Sequence, residues 1–241
     1  MCGRFAFYSP HEAIVRLFGL SAGGLPSIEP RYNIAPTMLV PAVRQDDDVA
    51  ATRRLAMLYW GLVPAWAKDK SVGARMINAR AETLREKPAY KEAYRRRRAL
   101  VPADGYYEWM KLGADLKQPY FIQPASGAPF AFGAVWERWR DPATGEALES
   151  CALITAPAPP SIAHIHDRMP LVIPTDHFAE WLDPQNDDVD RLDRLLDPTR
   201  IGELVAHPVG RRVGNARNEG ADLVEPAEPI KLPLLPGDPL L

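Results

Sequence analysis

The stretch from Arg98 to Pro157 constrains the fold more than any other part of the chain. "RALVPADGYYEWMK", "QPYFIQP", "PFAFGAVWERW" and "ESCALITA" are rich in β-branched and aromatic residues, and "LGADLK", "ASGA" and "DPATGEAL" separate them with turn residues. Apolar runs punctuated at roughly 10-residue spacing predict the strands of a sandwich or barrel. The 25 prolines among 241 residues are about twice the usual share of roughly 5%. They are spread along the chain, which fits many turns better than a disordered tract.

Helical signals flank this core. "SPHEAIVRLFGL" predicts a helix with Ser9 as N-cap, Pro10 at the first helical position, Glu12 completing a capping box and Gly19 ending it. Ile14, Leu17 and Phe18 then share one face. "TMLVPAVR" and "ATRRLAMLYWGLVP" enclose the acidic "QDDD" and predict a β-hairpin. "KPAYKEAYRRRR" predicts a short polar helix whose cationic run, Arg95 to Arg98, sits at its C-terminal end and is expected to be solvated. "TDHFAEWLD" and "DDVDRLDRLLD" are helical patterns, and "TRIGELVAHPV" leads into a final strand. The expected fold class is α+β: a single domain over residues 1–226 with a β-rich core and peripheral helices. A Pro-rich tail, 227–241, is expected to be loosely attached.

Charge and cysteine usage narrow the function classes. The net charge of −2 gives no global attraction to nucleic acid, so any basic binding surface must be local. Two cysteines, Cys2 and Cys151, make no disulfide framework, and Cys151 within "ESCALITA" is expected to be a buried strand residue. The N-terminus lacks the basic start and apolar segment of a signal peptide, and no apolar run approaches the roughly 18 residues of a membrane span. A soluble, cytoplasmic protein without membrane contact is the expectation, with a monomer as the default.

The most reactive side chain follows the initiator. If Met1 is removed from "MCGRF", Cys2 carries a free α-amine and a thiol on one residue, with ordinary pKa values of about 7.7–8.0 and about 8.5. At neutral pH a useful fraction of each would be nucleophilic. Such a 1,2-aminothiol condenses with an aldehyde to an imine, and the thiolate closes a five-membered thiazolidine. An internal cysteine cannot do this. The same residue could instead attack an amide with its own amine as base, or be no more than a small residue opening a strand.

Other residues offer partners. In "YYEWMK", Glu108 shares a strand face with Tyr106 and Met110; a carboxyl among aromatics is desolvated and becomes a proton donor near neutrality. The alternative is a solvated glutamate. "AHIHDRMP" holds His164 and His166, and without a carboxylate or cysteine cluster beside them a single acid–base histidine is the sharper reading than a metal site. "MINARAETL" places Asn78, Arg80 and Glu82 on one face if extended, with an amide for a polar substrate and a guanidinium for phosphate; solvated charges on an amphipathic strand are the plainer reading. In "YWGLVPAW", Trp60 reads as core and Trp66 as an exposed ring, the kind that stacks on single-stranded nucleic acid beside arginines.

The order of these motifs carries a resemblance. "MCGRF", "RYNIAPT", "WGLVPAW", "INARAETL", "RALVPADGYYEW", "LITAPA", "IHDRMP" and "HPVGRRVGNARNEGADLVEP", from residue 2 to about 226, together resemble the SOS response-associated peptidase family of abasic-site processing proteins. The resemblance implies one α+β domain with a twisted, barrel-like core and a basic cleft. It implies binding of single-stranded DNA at an abasic site and a thiazolidine crosslink from the mature N-terminal cysteine to the opened deoxyribose, without cofactor or metal. Residue by residue, it makes Cys2 the nucleophile, lets Asn78 hold the opened sugar, assigns proton handling to Glu108 and acid–base work to His166, and leaves His164 without a role. Arg4, Arg80 and Arg168 would bind flanking phosphates, while Asn33, Pro36, Trp66 and Thr155 would line the cleft. The chain departs from the pattern at Ala67, where some members carry a second tryptophan. The family's peptidase label refers to removal of a leader, which here is Met1 alone.

Two other functions fit parts of the pattern. A cysteine amidohydrolase with an N-terminal nucleophile would turn over repeatedly, but such folds use more long helices than this sequence offers. A non-covalent single-strand DNA binder would not need Cys2 at all.

Overall fold

The computed structural model describes residues 2–20, 28–45 and 52–230, the side chain of Arg200 excepted. Its strands are β1 (Phe5–Phe7), β2 (Arg31–Ile34), β3 (Leu39–Gln45), β4 (Arg53–Trp60), β5 (Asn78–Arg80), β6 (Arg98–Ala103), β7 (Gly105–Lys111), β8 (Lys117–Pro124), β9 (Phe130–Arg140), β10 (Ala147–Pro157), β11 (Arg168–Pro170) and β12 (Leu204–Pro208). The helices are short: α1 (His11–Phe18), α2 (Lys91–Arg96), α3 (Pro160–Ala163), α4 (Phe178–Leu182) and α5 (Val189–Asp193).

Five of these strands close on themselves. β4 pairs β3, β3 pairs β6, β6 pairs β9 and β9 pairs β10, all antiparallel, and β10 returns to β4 in parallel register. Closure leaves no free edge around the ring. β10 outruns the barrel, and its second half carries β5 and β11. The remaining strands form an open antiparallel sheet in the order β12-β8-β7-β1-β2. Phe5 of β1 joins the two layers. Its ring meets Trp60 at 5.3 Å and Phe132 at 5.8 Å, both edge to face, and all three are fully buried. Trp60 is therefore core, as is Cys151 on β10 opposite Trp60 and Trp136.

The expected single strand "RALVPADGYYEWMK" is two strands in different layers. β6 belongs to the barrel and β7 to the open sheet, with Asp104 at the switch. The Asp104 carboxylate accepts from the backbone N–H of Tyr8 at 2.6 Å, that of Ser9 at 2.8 Å, and the Ser9 hydroxyl. Ser9 is thus spent on Asp104 and does not cap α1; Pro10 is the N-cap, without a side-chain bond. Gly105 follows because a Cβ there would lie 2.2 Å from the Phe121 ring. Gly19 ends α1 as expected, at φ 61° with its N–H on the Val15 carbonyl. β3 and β4 form the expected hairpin, and its tip lies outside the described residues.

The arginine run is not uniformly solvated. Arg95 and Arg96 reach Asp187 at the surface, and Arg97 pairs Glu137 at 2.8 Å. Arg98 is buried and donates to five backbone carbonyls, those of Tyr94, Arg95, Trp181, Asp183 and Asn186. It collects the carbonyls that the ends of α2 and α4 cannot satisfy internally. Burial lowers its pKa to about 10, so it stays charged at neutral pH. Beyond the expected boundary at 226, Ala227 and Ile230 still donate to Pro208 O at 2.9 Å and Gln118 Oε1 at 2.7 Å; residues 231–241 lie outside the description. Among the described residues no helix is long and apolar enough to cross a membrane.

Candidate active site

β1 delivers Cys2. Phe5 is registered against Tyr106 and Ala6 against Gly105 of β7, and Tyr107 N–H donates to Arg4 O at 2.9 Å. The segment ahead of β1 therefore runs beside the second half of β7. Strand alternation divides that half. Tyr107 and Trp109 pack outward with Val209 and Val213, whereas Tyr106 and Met110 pack with Cys2 and Phe5, and Glu108 shares their face.

Cys2 is fully buried. Its thiol approaches Arg4 O at 3.8 Å, and its carbonyl accepts from Asn78 Nδ2 at 2.7 Å. Asn78 opens β5, which lies parallel to β10 with Asn78 opposite Leu153. Asn78 Oδ1 is buried without a hydrogen-bond partner among the described residues. It is an acceptor left open at the cysteine.

Glu108 is buried, and desolvation pushes its carboxyl up to about 7. The carboxyl among aromatics behaves as expected from the strand pattern. Cys2 does not: burial, reinforced by the negative charge of Glu108, raises its thiol far above the ordinary range. The expected resting fraction of thiolate at neutral pH is absent, because burial strips the charged form of water and the charge of Glu108 opposes it. Glu108 is the nearby ionisable group whose raised carboxyl exchanges its proton close to neutral pH.

His166 stands in the turn between α3 and β11. The Arg168 backbone N–H donates to His166 Nδ1 at 3.0 Å, so the neutral imidazole carries its proton on Nε2. Nε2 faces Glu108 Oε2 at 4.0 Å, too long for a direct hydrogen bond. Asp167 Oδ1 also lies 3.0 Å from Nδ1. That contact requires a protonated Nδ1 and competes with the backbone donor. The Asp167 side chain is 88% exposed, its charge is screened, and burial lowers the His166 pKa, so the neutral ring prevails. His164 is exposed.

The expected DNA contacts divide into two kinds. Trp66 is 68% exposed, and Arg80 is exposed beside Asn78. The loop bearing Trp66 is pinned by a close approach of Gly61 and Gly73: a Cβ on Gly61 would lie 2.6 Å from Gly73 O. Ala67 is buried and its carbonyl accepts from Trp139 Nε1 at 2.7 Å. Pro36 is half-buried next to the loop turn. The others are committed inside the protein. Arg4 Nη1 donates to Asn33 Oδ1 at 2.7 Å and Val213 O at 2.6 Å. Asn33 is fully buried and donates to the carbonyls of Asn215 at 3.0 Å and Asn218 at 2.8 Å, so it braces the 213–218 loop rather than lining a cleft. Arg168 grips Glu82 with both terminal nitrogens and donates to Thr155 O at 2.6 Å; Thr155 is fully buried. Arg168 must leave Glu82 before it can hold a phosphate. The Arg4–Val213 bond and the Arg168–Glu82 pair join residues 209 and 86 positions apart, beyond the reach of any local sequence signal.

A buried cysteine at position 2, an amide bonded to its carbonyl and a nearby carboxyl and imidazole, all mounted beside a five-stranded barrel, define a candidate cysteine site on an α+β fold. The chain belongs to the SOS response associated peptidase (SRAP) family, whose profile matches residues 1–216. It is 38% identical to the abasic site processing protein YoqW of Bacillus subtilis over 93% of this chain and 99% of that one. To the abasic site processing protein YedK of Escherichia coli it is 33% identical, over 94% and 100%. The rat abasic site processing protein HMCES is 29% identical, over 95% of this chain and 76% of that one. A crystal structure of a Bacteroides thetaiotaomicron protein shares the fold with a TM-score of 0.80 at 23% identity, covering 94% of this chain and 100% of the other.

Proposed function

We propose that this chain processes abasic sites in DNA by forming a covalent thiazolidine link through Cys2 after Met1 is removed, with single-stranded DNA as the substrate. One observation carries the reading: Cys2, Asn78, Glu108 and His166, from four distant stretches, converge around a carboxyl raised to about 7. The names of the relatives support the substrate class.

The steps follow from what each group can do. In ring opening the C1 hydroxyl gives up its proton, the C1–O4 bond breaks to leave the aldehyde, and O4 takes a proton. Glu108 relays the proton between the two oxygens while His166, neutral with its proton on Nε2, hydrogen-bonds O4, so no net proton is gained or lost. The Cys2 amine adds to the aldehyde carbon, water leaves and an imine forms. Glu108 takes the thiol proton, the sulfur bonds to the imine carbon, and the C=N electron pair moves to nitrogen, which receives the proton back from Glu108. The open acceptor of Asn78 receives a sugar hydroxyl. If sulfur does not add, the imine acidifies the adjacent C–H bond and β-elimination cuts the strand. Trp66 and Arg80 supply stacking and a phosphate contact at the entrance.

Intact-protein mass spectrometry of the Met1-processed chain, incubated with single-stranded DNA carrying one abasic site, tests the proposal. The expected result is a DNA-sized adduct that Cys2→Ala abolishes. No adduct, with Met1 shown to be absent, would overturn it and point to an amide substrate.

A further inference from the structure

Tyr106 carries a hydroxyl that the fold does not use. The residue is fully buried, its ring packs edge to face on Phe132 at 6.1 Å, and its oxygen has no hydrogen-bond partner among the described residues. A phenylalanine would keep the ring contact and shed a buried, unsatisfied polar group, which ordinarily stabilises a core. The hydroxyl therefore has no role in packing. Its position suggests another. Tyr106 lies two residues before Glu108 on the same face of β7, and its Cα partner across the ladder is Phe5, three residues after Cys2. Both the thiol and the carboxyl lie close enough for their charges to act on the phenol.

We propose that the Tyr106 hydroxyl donates a hydrogen bond to the Cys2 sulfur as that sulfur becomes a thiolate. This rests on the crosslinking reading. When Glu108 takes the thiol proton it becomes neutral, and one negative charge is left on a sulfur that the fold buries away from water. A neutral O–H donor lowers the free energy of that charge without adding a charge of its own. Burial and the neighbouring acidic groups raise the phenol above its ordinary range, so it remains a donor throughout the working pH range and transfers no proton itself. The proton balance stays between Cys2, Glu108 and the imine nitrogen. In the resting protein the thiol instead points to Arg4 O, and the phenol is held ready.

Tyr106→Phe separates this role from a structural one. The Met1-processed protein is mixed with single-stranded DNA bearing an abasic site in single-turnover format. Imine is trapped by borohydride in one series, and the heat-stable thiazolidine adduct is counted in another. The expected result is an unchanged or higher melting temperature and an unchanged rate of imine trapping. Thiazolidine closure should slow by roughly tenfold or more, and its pH profile should shift to higher pH. Closure at the wild-type rate with an unchanged pH profile would overturn the role of Tyr106 while leaving the crosslinking reading intact. Absence of any adduct from the wild-type protein would instead remove the reading on which the proposal stands. Loss of imine and thiazolidine together in a folded Tyr106→Phe protein would also overturn it, because the donor would then serve binding rather than the sulfur.

Discussion

Asn78 Nδ2 donates to the Cys2 carbonyl at 2.7 Å, and this bond ties the strand that runs along β10 to the segment ahead of β1. The other half of the same amide is an acceptor without a partner among the described residues. One side chain thus holds Cys2 and, on the proposed function, offers an acceptor to a sugar hydroxyl.

Asn78→Ala removes both functions. The single-turnover rate of adduct formation should fall by about tenfold or more, from loss of one positioning bond and one substrate bond. Stability should change by no more than about 1 kcal/mol, since the side chain is only half-buried. Adduct kinetics and a thermal melt on the same preparation check both parts. An unchanged rate would remove Asn78 from the site.

Glu108 makes stability depend on pH in a direction set by its raised pKa. Its carboxyl titrates near 7 in the folded chain against an ordinary value of 4.5. Between these values the folded state holds a proton that the unfolded state has released, so stability is greatest below about 4.5 and falls as pH rises through 7, by about 3 kcal/mol at most. His166, lowered from 6.5 by burial, works in the opposite sense as pH falls below that value. The difference between wild type and Glu108→Gln isolates the carboxyl. Glu108→Gln should be the more stable protein at pH 8 and lose that advantage towards pH 5, as read by denaturant unfolding across the range.

Arg98 is a stability residue remote from the chemistry. Arg98→Met leaves five carbonyls without their donor and should destabilise the fold by about 3 kcal/mol or more. Urea unfolding should show a lower midpoint with an unchanged slope, and the folded fraction should form adduct at the wild-type rate. A midpoint within error of wild type would contradict the clamp between α2 and α4.

Trp66 and Arg80 should act on binding alone. In a Cys2→Ala background, where no bond forms, Trp66→Ala should weaken single-stranded DNA binding by about 1–3 kcal/mol without lowering the melting temperature. Arg80→Ala should weaken it for any sequence and reduce the logarithmic salt slope by about 1. Fluorescence anisotropy over a salt series reads both. Equal slopes for Arg80→Ala and its parent would take Arg80 off the phosphates.

The sequence by itself determined the local elements and the chemistry latent in single residues. Turn residues between apolar runs marked the strands from Arg98 onward, Gly19 marked the end of α1, and the alternation in "YYEWMK" put Glu108 among aromatics, because each of these depends on neighbours within a few positions. A cysteine behind Met1 is a potential aminothiol whatever it folds into. The tertiary structure alone decided which strands are neighbours. Barrel closure joins β4 to β10 across about ninety residues, and the break at Asp104 sends consecutive strands into different layers, neither of which periodicity records. Burial was decided in the same way. Arg98 became a core clamp and Asn33 a loop brace because distant carbonyls surround them. Arg168 became the partner of Glu82, and Cys2 lost its resting thiolate because residues far along the chain exclude water from it. A side chain's type names its possible chemistry, but its pKa and its partners are set by what the fold packs around it.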